Sequence, residues 1–283
     1  MNFLSVLIAV RTNATGAFES VPISWAAVAI AALLIAINAL ISLRLHLGLE
    51  KRILWAAIRM TVQLLLLGLV LQQIFALSKQ MPGIILVLAI AMTLIAGYSA
   101  VGRIGHRFDR IYPSAIFSVW VSSWLVTSVA ILLVVGSKPW NSPHVVITLL
   151  GMVLGNSLTG ISLGLDRFLS DLRSKRDEVE MQLTLGATRW EACRSVFVGA
   201  ARTAMIPILN TMSVAGIVSI PGMMTGQILA GQSPMQAVRY QIMIMFVIAS
   251  AIAIGVMLSL GLAFFRITTS DHQIDWDQIR RCE

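Results

Sequence analysis

The chain has 283 residues, of which 57% are hydrophobic and only 12% charged, and its mean hydropathy is +0.84. Soluble domains average roughly 45–50% apolar and about 25% charged residues, so this composition excludes a soluble globular protein. A net charge of +8 fits Lys and Arg on the cytoplasmic side of a membrane, and we expect no nucleic-acid partner. The fold class is therefore an all-α integral membrane protein in a lipid bilayer.

Apolar runs long enough to cross a bilayer, whose hydrocarbon core of roughly 30 Å needs about 20 helical residues, follow one another along the chain. We predict a single transmembrane domain over residues 1–265, built from about seven helices, and a tail over residues 266–283. The predicted spans are residues 22–43, 53–77, 82–101, 114–136, 145–165, 203–220 and 240–265.

The distribution of Lys and Arg predicts the orientation. With the N-terminus outside, the cytoplasmic segments 44–59, 103–110, 167–202 and 266–281 hold 17 of the 21 cationic residues. Cytoplasmic loops carry this kind of excess. The pattern therefore predicts an outside N-terminus and a cytoplasmic C-terminus, and it places the long polar interval 166–202 in the cytoplasm.

Residues 166–202 form the longest polar interval and carry six acidic and seven basic residues. Apolar residues recur in it at helical spacing, which indicates amphipathic helices. Gly186 divides the interval, as a glycine in the left-handed conformation after a helix end does. We predict a helix–glycine–helix segment that receives force from a partner protein, and we expect Pro207 to pass this movement into span six.

Polar side chains inside the spans are candidates for a translocation path. Arg59 and Gln63 lie four residues apart and share a helix face. An arginine in a span must snorkel to the interface, form a pair or contact water, so snorkelling is the alternative for Arg59. Hydrogen bonds between helices are the alternative for the asparagines. The candidates are Asn38, Arg59, Gln63, Asn156 and Asn210.

Two further features concern packing. Glycines at four-residue spacing in span five, Gly151 to Gly155 and Gly160 to Gly164, favour close approach of helices. The alternative for this span is a polar wall of a transport route, which can occupy a different face of the same helix. The structural segment 219–234 is too apolar for an ordinary loop and too short to span, and Pro221-Gly222 marks a break within it. Met223 and Met224 are expected to pack, because thioethers suit copper(I) and iron prefers oxygen and nitrogen. We assign no metal site.

The sequence contains no catalytic motif. None of the four lysines belongs to a Gly-Lys-Ser/Thr phosphate loop, and no H-E-x-x-H or paired-cysteine metal motif occurs. We therefore expect no enzyme activity and no cofactor bound by this chain itself.

Several stretches resemble a known family. The run from Glu180 to Thr188 looks like the coupling loop of ABC transporter permeases, with Met181 and Gln182 in place of the two alanines of that pattern. LGAT followed by IPGMMTGQILAG is similar to the permease subunit of the iron-export ABC transporter family, formerly uncharacterised protein family 14. The likeness extends over about residues 50–265.

This resemblance implies a half-transporter in the inner (cytoplasmic) membrane. Two copies of the chain would assemble with two copies of a separate cytoplasmic ATPase, which binds ATP and Mg, to export iron or a related metal or metal complex. We expect Trp190 to anchor the ATPase, with Arg189, Glu191 and Arg194 at the rim of the contact. The expected coupling residues are Glu180, Leu183, Gly186, Ala187, Thr188, Arg189, Trp190, Glu191 and Arg194.

Two other functions remain open at this point. A self-contained secondary metal transporter or channel would need ionisable groups deep in its spans, and only Arg59 comes near such a position. A non-transporting scaffold would use the polar interval to recruit a cytoplasmic protein. Association with an ATPase excludes the first alternative, and stimulation of that ATPase by a substrate excludes the second.

Overall fold

The computed structural model describes residues 24–78, 83–135, 143–269 and 273–281. Within these ranges a short 3-10 turn covers Trp276–Gln278, and the two-residue strands β1 (His106–Arg107) and β2 (Arg280–Arg281) pair antiparallel. All other elements are α-helices, in chain order α1 (Trp25–Arg44), α2 (Glu50–Ser78), α3 (Gly83–Val101), α4 (Ile111–Val135), α5 (Pro143–Ser174), α6 (Arg176–Thr184), α7 (Arg189–Val214), α8 (Gly222–Leu229) and α9 (Pro234–Ile267).

Seven helices in the described part of the chain, α1 to α5 with α7 and α9, are long and apolar enough to cross a membrane. The predicted fold class and number of spans are confirmed. The orientation of the termini stays a prediction. Of the predicted span ends, residues 22, 82 and 136 lie outside the described ranges.

The predicted boundaries fail around the polar interval. Helix α5 continues nine residues past the predicted end at 165, and α7 begins fourteen residues before the predicted start at 203. Both helices continue because apolar side chains recur on one face and are buried, with Leu172 and Val196 at most 2% exposed. Helix α7 also ends at Val214 rather than at the predicted residue 220. Two residues after this end, Gly216 adopts a positive φ of 82°.

The chain divides into two compact units. The first contains α1, α2 and residues 225–237. In it α1 packs against α2, and the connecting turn is fixed by Ser42, whose Oγ accepts a hydrogen bond from the N–H of Leu49 at 3.1 Å. Ser42 and Ala39 are the buried residues of α1, so most of its apolar surface is exposed to the surroundings.

The second unit comprises residues 81–224 and 238–283 and contains the main hydrophobic core. Helix α5 packs against α3, α4 and α7. A Cβ atom placed on Gly160 would lie 2.6 Å from Ile252 Cγ2 of α9, and one on Gly164 would lie 3.2 Å from Ala204 Cβ of α7. The prediction that span five is a packing helix is therefore confirmed for this pair of glycines. Gly155 has no such neighbour within 4 Å.

Candidate functional site

The polar interval forms a helical hairpin made of the end of α5, the short helix α6 and the start of α7. We call residues 166–202 the coupling hairpin. Val179 of α6 is 1% exposed and joins the core beside Leu172 of α5. On the solvent side Arg176 Nε lies 3.0 Å from Glu180 Oε1, four residues along the helix. The predicted pair of helical segments around Gly186 is therefore present: α6 is a separate short helix, and the second segment is the start of α7.

Gly186 closes α6 in a Schellman motif. Its N–H donates to the Leu183 carbonyl at 3.1 Å, and the N–H of Ala187 donates to the Gln182 carbonyl at 3.0 Å. Gly186 has φ of +91°, a left-handed conformation that residues with a Cβ adopt only at an energetic cost. The expected break at this glycine is thus present, and its cause is backbone conformation, since a Cβ added to Gly186 would meet no atom within 4 Å.

We expect Gly186→Val to distort the turn at a cost of about 1–2 kcal/mol and, under the exporter function that the resemblance implies, to reduce coupled ATP hydrolysis and transport. Gly186→Asn is the matched control, because asparagine tolerates the left-handed conformation. Efflux assays on both variants in membranes of equal protein content check this. Equal transport by the Val and Asn variants would show that the turn does not matter.

Helix α7 begins with a capping box between Thr188 and Glu191. The N–H of Thr188 donates to Glu191 Oε2 at 2.8 Å, and the N–H of Glu191 donates to Thr188 Oγ1 at 3.3 Å. The turn from α6 into α7 is therefore fixed on both sides of Gly186 and Ala187. Glu191, expected at the rim of a partner contact, stabilises the helix start.

Trp190 makes aromatic contacts with other residues of this chain. Its ring lies 5.2 Å from Phe197 and 5.7 Å from Phe264, both edge to face. The neighbouring Arg189 donates from Nη1 to the Thr269 carbonyl at 2.8 Å, and so connects α7 with the end of α9. These contacts hold Trp190 and Arg189 within the chain, although Trp190 is still 44% exposed, and Arg194 is exposed as well.

The most exposed large apolar side chains of the coupling hairpin lie on α6 and its turn. Leu185 is 79% exposed and Met181 is 56% exposed, and they are four residues apart on one helix face. We call this pair the apolar tip. Leu183, by contrast, packs against the core. Neither residue is among the predicted coupling residues, although their four-residue spacing carries the signal.

The C-terminal segment packs against the base of the coupling hairpin. Arg173 Nη1 of α5 donates to the Ile279 carbonyl at 2.8 Å, and the Arg176 guanidinium lies 5.2 Å from the Trp276 ring centroid. The side chain of Ile279 is 3% exposed. Pairing of β2 with β1 connects the segment to the α3–α4 loop. The predicted tail therefore includes a packed part, residues 273–281.

We expect Trp276→Ala to loosen α6, because the stacked guanidinium of Arg176 loses a contact worth roughly 0.5–1 kcal/mol at an exposed site. Hydrogen exchange of the amides of residues 176–184 should become faster. Asp277→Asn, a change at an exposed neighbour, is the control and should leave exchange unchanged. Unaltered hydrogen exchange in Trp276→Ala would show that the C-terminal segment does not stabilise the coupling hairpin.

The five polar span residues are all exposed and are divided between the two units. Asn38, Arg59 and Gln63 belong to the first unit, whereas Asn156 and Asn210 belong to the second. Asn156 Nδ2 donates to the carbonyl of Met152 in its own helix at 2.8 Å, not to another helix. No group of three or more His, Cys, Asp or Glu side chains able to hold a metal occurs among the described residues.

The segment after α7 contains a non-helical stretch followed by the short helix α8. Ala215 to Pro221 is not helical, and α8 begins at Gly222, directly after the predicted break. Met223 packs against the core, as expected. Met224 lines a mostly apolar cavity of about 540 Å³ together with Met212 and Met245. Pro207 lies inside α7 and removes one backbone hydrogen bond from it.

Comparison with known proteins identifies the family. The family model described as "Uncharacterised protein family (UPF0014)" matches residues 25–267. This chain belongs to UPF0014. It is similar to the "Probable iron export permease protein FetB" of Escherichia coli, which is 30% identical over 89% of this chain and 95% of that protein.

Other relatives carry less specific names. The "UPF0014 membrane protein slr1647" of Synechocystis is 38% identical over 71% of this chain and 77% of its own length. The "Protein ALUMINUM SENSITIVE 3" of Arabidopsis thaliana is 29% identical over 86% and 88% of the two chains. No solved structure matches this UPF0014 member. The chain is thus a multi-pass membrane protein of this family.

Proposed function

We propose that this chain is the membrane permease subunit of an ABC exporter in the cytoplasmic membrane, which moves iron or a related metal or metal complex out of the cytoplasm. Two copies would assemble with two copies of a separate ATPase. The name of the E. coli relative supports the permease role and the iron substrate. ATP and Mg would bind to the ATPase subunit.

The observation that carries this proposal is the coupling hairpin. Its turn is held by the Schellman bonds at Gly186 and by the capping box of Thr188, so an applied force moves α6 as a body. Its two arms continue directly into α5 and α7, which pack against each other across the core. Movement imposed at the apolar tip by an ATPase would therefore reach both spans.

The charge distribution argues against an ion-coupled carrier. Such a carrier uses ionisable residues at membrane depth. Helices α3, α4 and α9, and α7 beyond Glu191, contain no Asp or Glu in the described residues. An external energy source, ATP hydrolysis by a partner, fits this composition better.

The test is ATPase activity of the chain co-expressed with its nucleotide-binding subunit in lipid, titrated with Fe(II), Fe(III) chelates, aluminium and zinc. We expect a stable complex and saturable stimulation by one metal species. A complex that ignores every metal would discard metal export, and failure of any ATPase to associate would overturn the proposal.

A further inference from the structure

Two arginines on the exposed face of α7 have no partner within the described part of the chain. Arg194 and Arg202 are two helical turns apart and are exposed. Neither guanidinium makes a hydrogen bond or ion pair with another described residue. With Ser195, Val198 and Gly199 they line a concavity of about 520 Å³. We call these five residues the arginine face.

The concavity is open and its net charge is positive. A Cβ on Gly199 would meet nothing within 4 Å, so no other part of the described chain covers the helix there. Glu191 borders the concavity at the helix start. Its Oε2 accepts hydrogen bonds from the N–H and the hydroxyl of Thr188 at 2.8 and 2.6 Å, so that carboxylate is engaged in the capping box. The two arginines remain available to an anion.

The part of α7 beyond Arg202 is too short to cross a membrane by itself. From Thr203 to its end at Val214, α7 has 12 uncharged residues, which measure about 18 Å at 1.5 Å per residue. A hydrocarbon core is roughly 30 Å thick. If Val214 reaches the far interface, Arg202 lies at hydrocarbon depth, where a guanidinium must snorkel to the interface, contact water or bind an anionic partner.

The described residues provide few ligands for a bare metal cation. Hard cations such as iron are bound by carboxylate, imidazole and other oxygen or nitrogen ligands. Among the described residues no cluster of three such side chains occurs, and two unpaired arginines repel a cation. A metal already complexed by an anionic chelator brings its own ligands and presents carboxylate or phosphate oxygens, which guanidinium groups bind in bidentate geometry.

We propose that the arginine face is the cytoplasmic entry site for an anionic metal complex, whose carboxylate or phosphate groups bind Arg194 and Arg202. This inference rests on the proposed export function and names the substrate class as a chelate rather than a free ion. Asn210, exposed two turns beyond Arg202 on α7, is the next exposed polar side chain along the same helix.

The test measures equilibrium binding to the permease without any ATPase, in nanodiscs of phosphatidylcholine. The probes are Fe(III)–citrate, Fe(III)–pyrophosphate and Fe(II) alone. We expect saturable binding of a chelate, weakened roughly ten- to hundredfold in Arg202→Gln and in Arg194→Gln, as for loss of a hydrogen bond to a charged group. Arg202→Lys should retain part of the affinity. Arg239→Gln, another exposed arginine, is the control and should bind as the parent does.

Several results would overturn the inference. One is tight binding of Fe(II) alone that is insensitive to both arginines. Another is equal loss of chelate binding in Arg239→Gln. Discs that contain phosphatidylglycerol test a lipid headgroup as the anion. If the variant that combines Arg194→Gln with Arg202→Gln loses bound phosphatidylglycerol but keeps chelate affinity, the arginine face is a lipid site and not a substrate site.

The test of the entry site and the test of the proposed exporter function can give different answers. Arginine-dependent chelate binding by a permease that never associates with an ATPase would support the entry site and reject the exporter. An ATPase complex stimulated by Fe(II) alone, with no effect of Arg202→Gln, would support the exporter and reject the entry site.

Discussion

Replacing Leu185 by glutamate is expected to weaken ATPase binding about thirtyfold or more, the effect of losing an interface hot spot of at least about 2 kcal/mol. Leu185 is 79% exposed at the end of α6, so the substitution leaves the folded chain unperturbed while placing a charge in the contact. Affinity is measured by titrating labelled ATPase onto the permease in nanodiscs. Met181→Glu should act in the same direction.

The matched control is Leu47→Glu, a change at another exposed leucine in the connection between α1 and α2. It should leave the affinity within about twofold, since surface changes outside a contact are worth less than roughly 0.5 kcal/mol. If Leu185→Glu and Leu47→Glu bind the ATPase equally well, the apolar tip is not the docking point.

Substitution of Gly97 by alanine is expected to destabilise the second unit by about 1–3 kcal/mol, the usual penalty for overpacking a filled core. The added Cβ would lie 2.7 Å from the Cα of Ile116, which is backbone of α4 and is not free to rotate away. Helices α3 and α4 must then separate. Thermal unfolding in a fixed detergent, followed by loss of helical circular dichroism, checks this.

Gly155→Ala is the control for Gly97→Ala. Gly155 is also inside a helix, but nothing lies within 4 Å of its added Cβ. Alanine has the higher helix propensity by up to about 1 kcal/mol, so the control should be neutral or stabilising. Equal destabilisation by both substitutions would mean that close approach of α3 and α4 is not what limits stability.

Composition determined the class of this protein because burial in lipid leaves few alternatives. Every backbone N–H and C=O must be paired within a span, so long apolar runs become helices. The number of spans and the glycine break at residue 186 follow from that rule and from backbone conformation. The close packing of neighbouring helices against Gly160 and Gly164 of α5 was also predictable, since small residues at this spacing let another helix approach.

The ends of the helices around the polar interval were not predictable from hydropathy. Charged residues from 166 to 202 lower the local hydropathy, but they lie on one side of helices whose other side is buried by core partners. Only tertiary packing reveals that burial. The same holds for Trp190, whose aromatic partner Phe264 lies far away in sequence, on α9.

The sequence by itself thus determined a seven-span α-helical membrane protein with a glycine-broken polar segment and no phosphate-binding loop. The tertiary structure decided which residues of that segment are free to act. It gave Trp190, Arg189 and Glu191 contacts within the chain, although Trp190 is still 44% exposed. It packed residues 273–281 against the base of the coupling hairpin, and it left the apolar tip and the two arginines of the arginine face exposed. The physical reason is that a side chain's availability depends on neighbours brought together by helix packing, which local sequence does not encode.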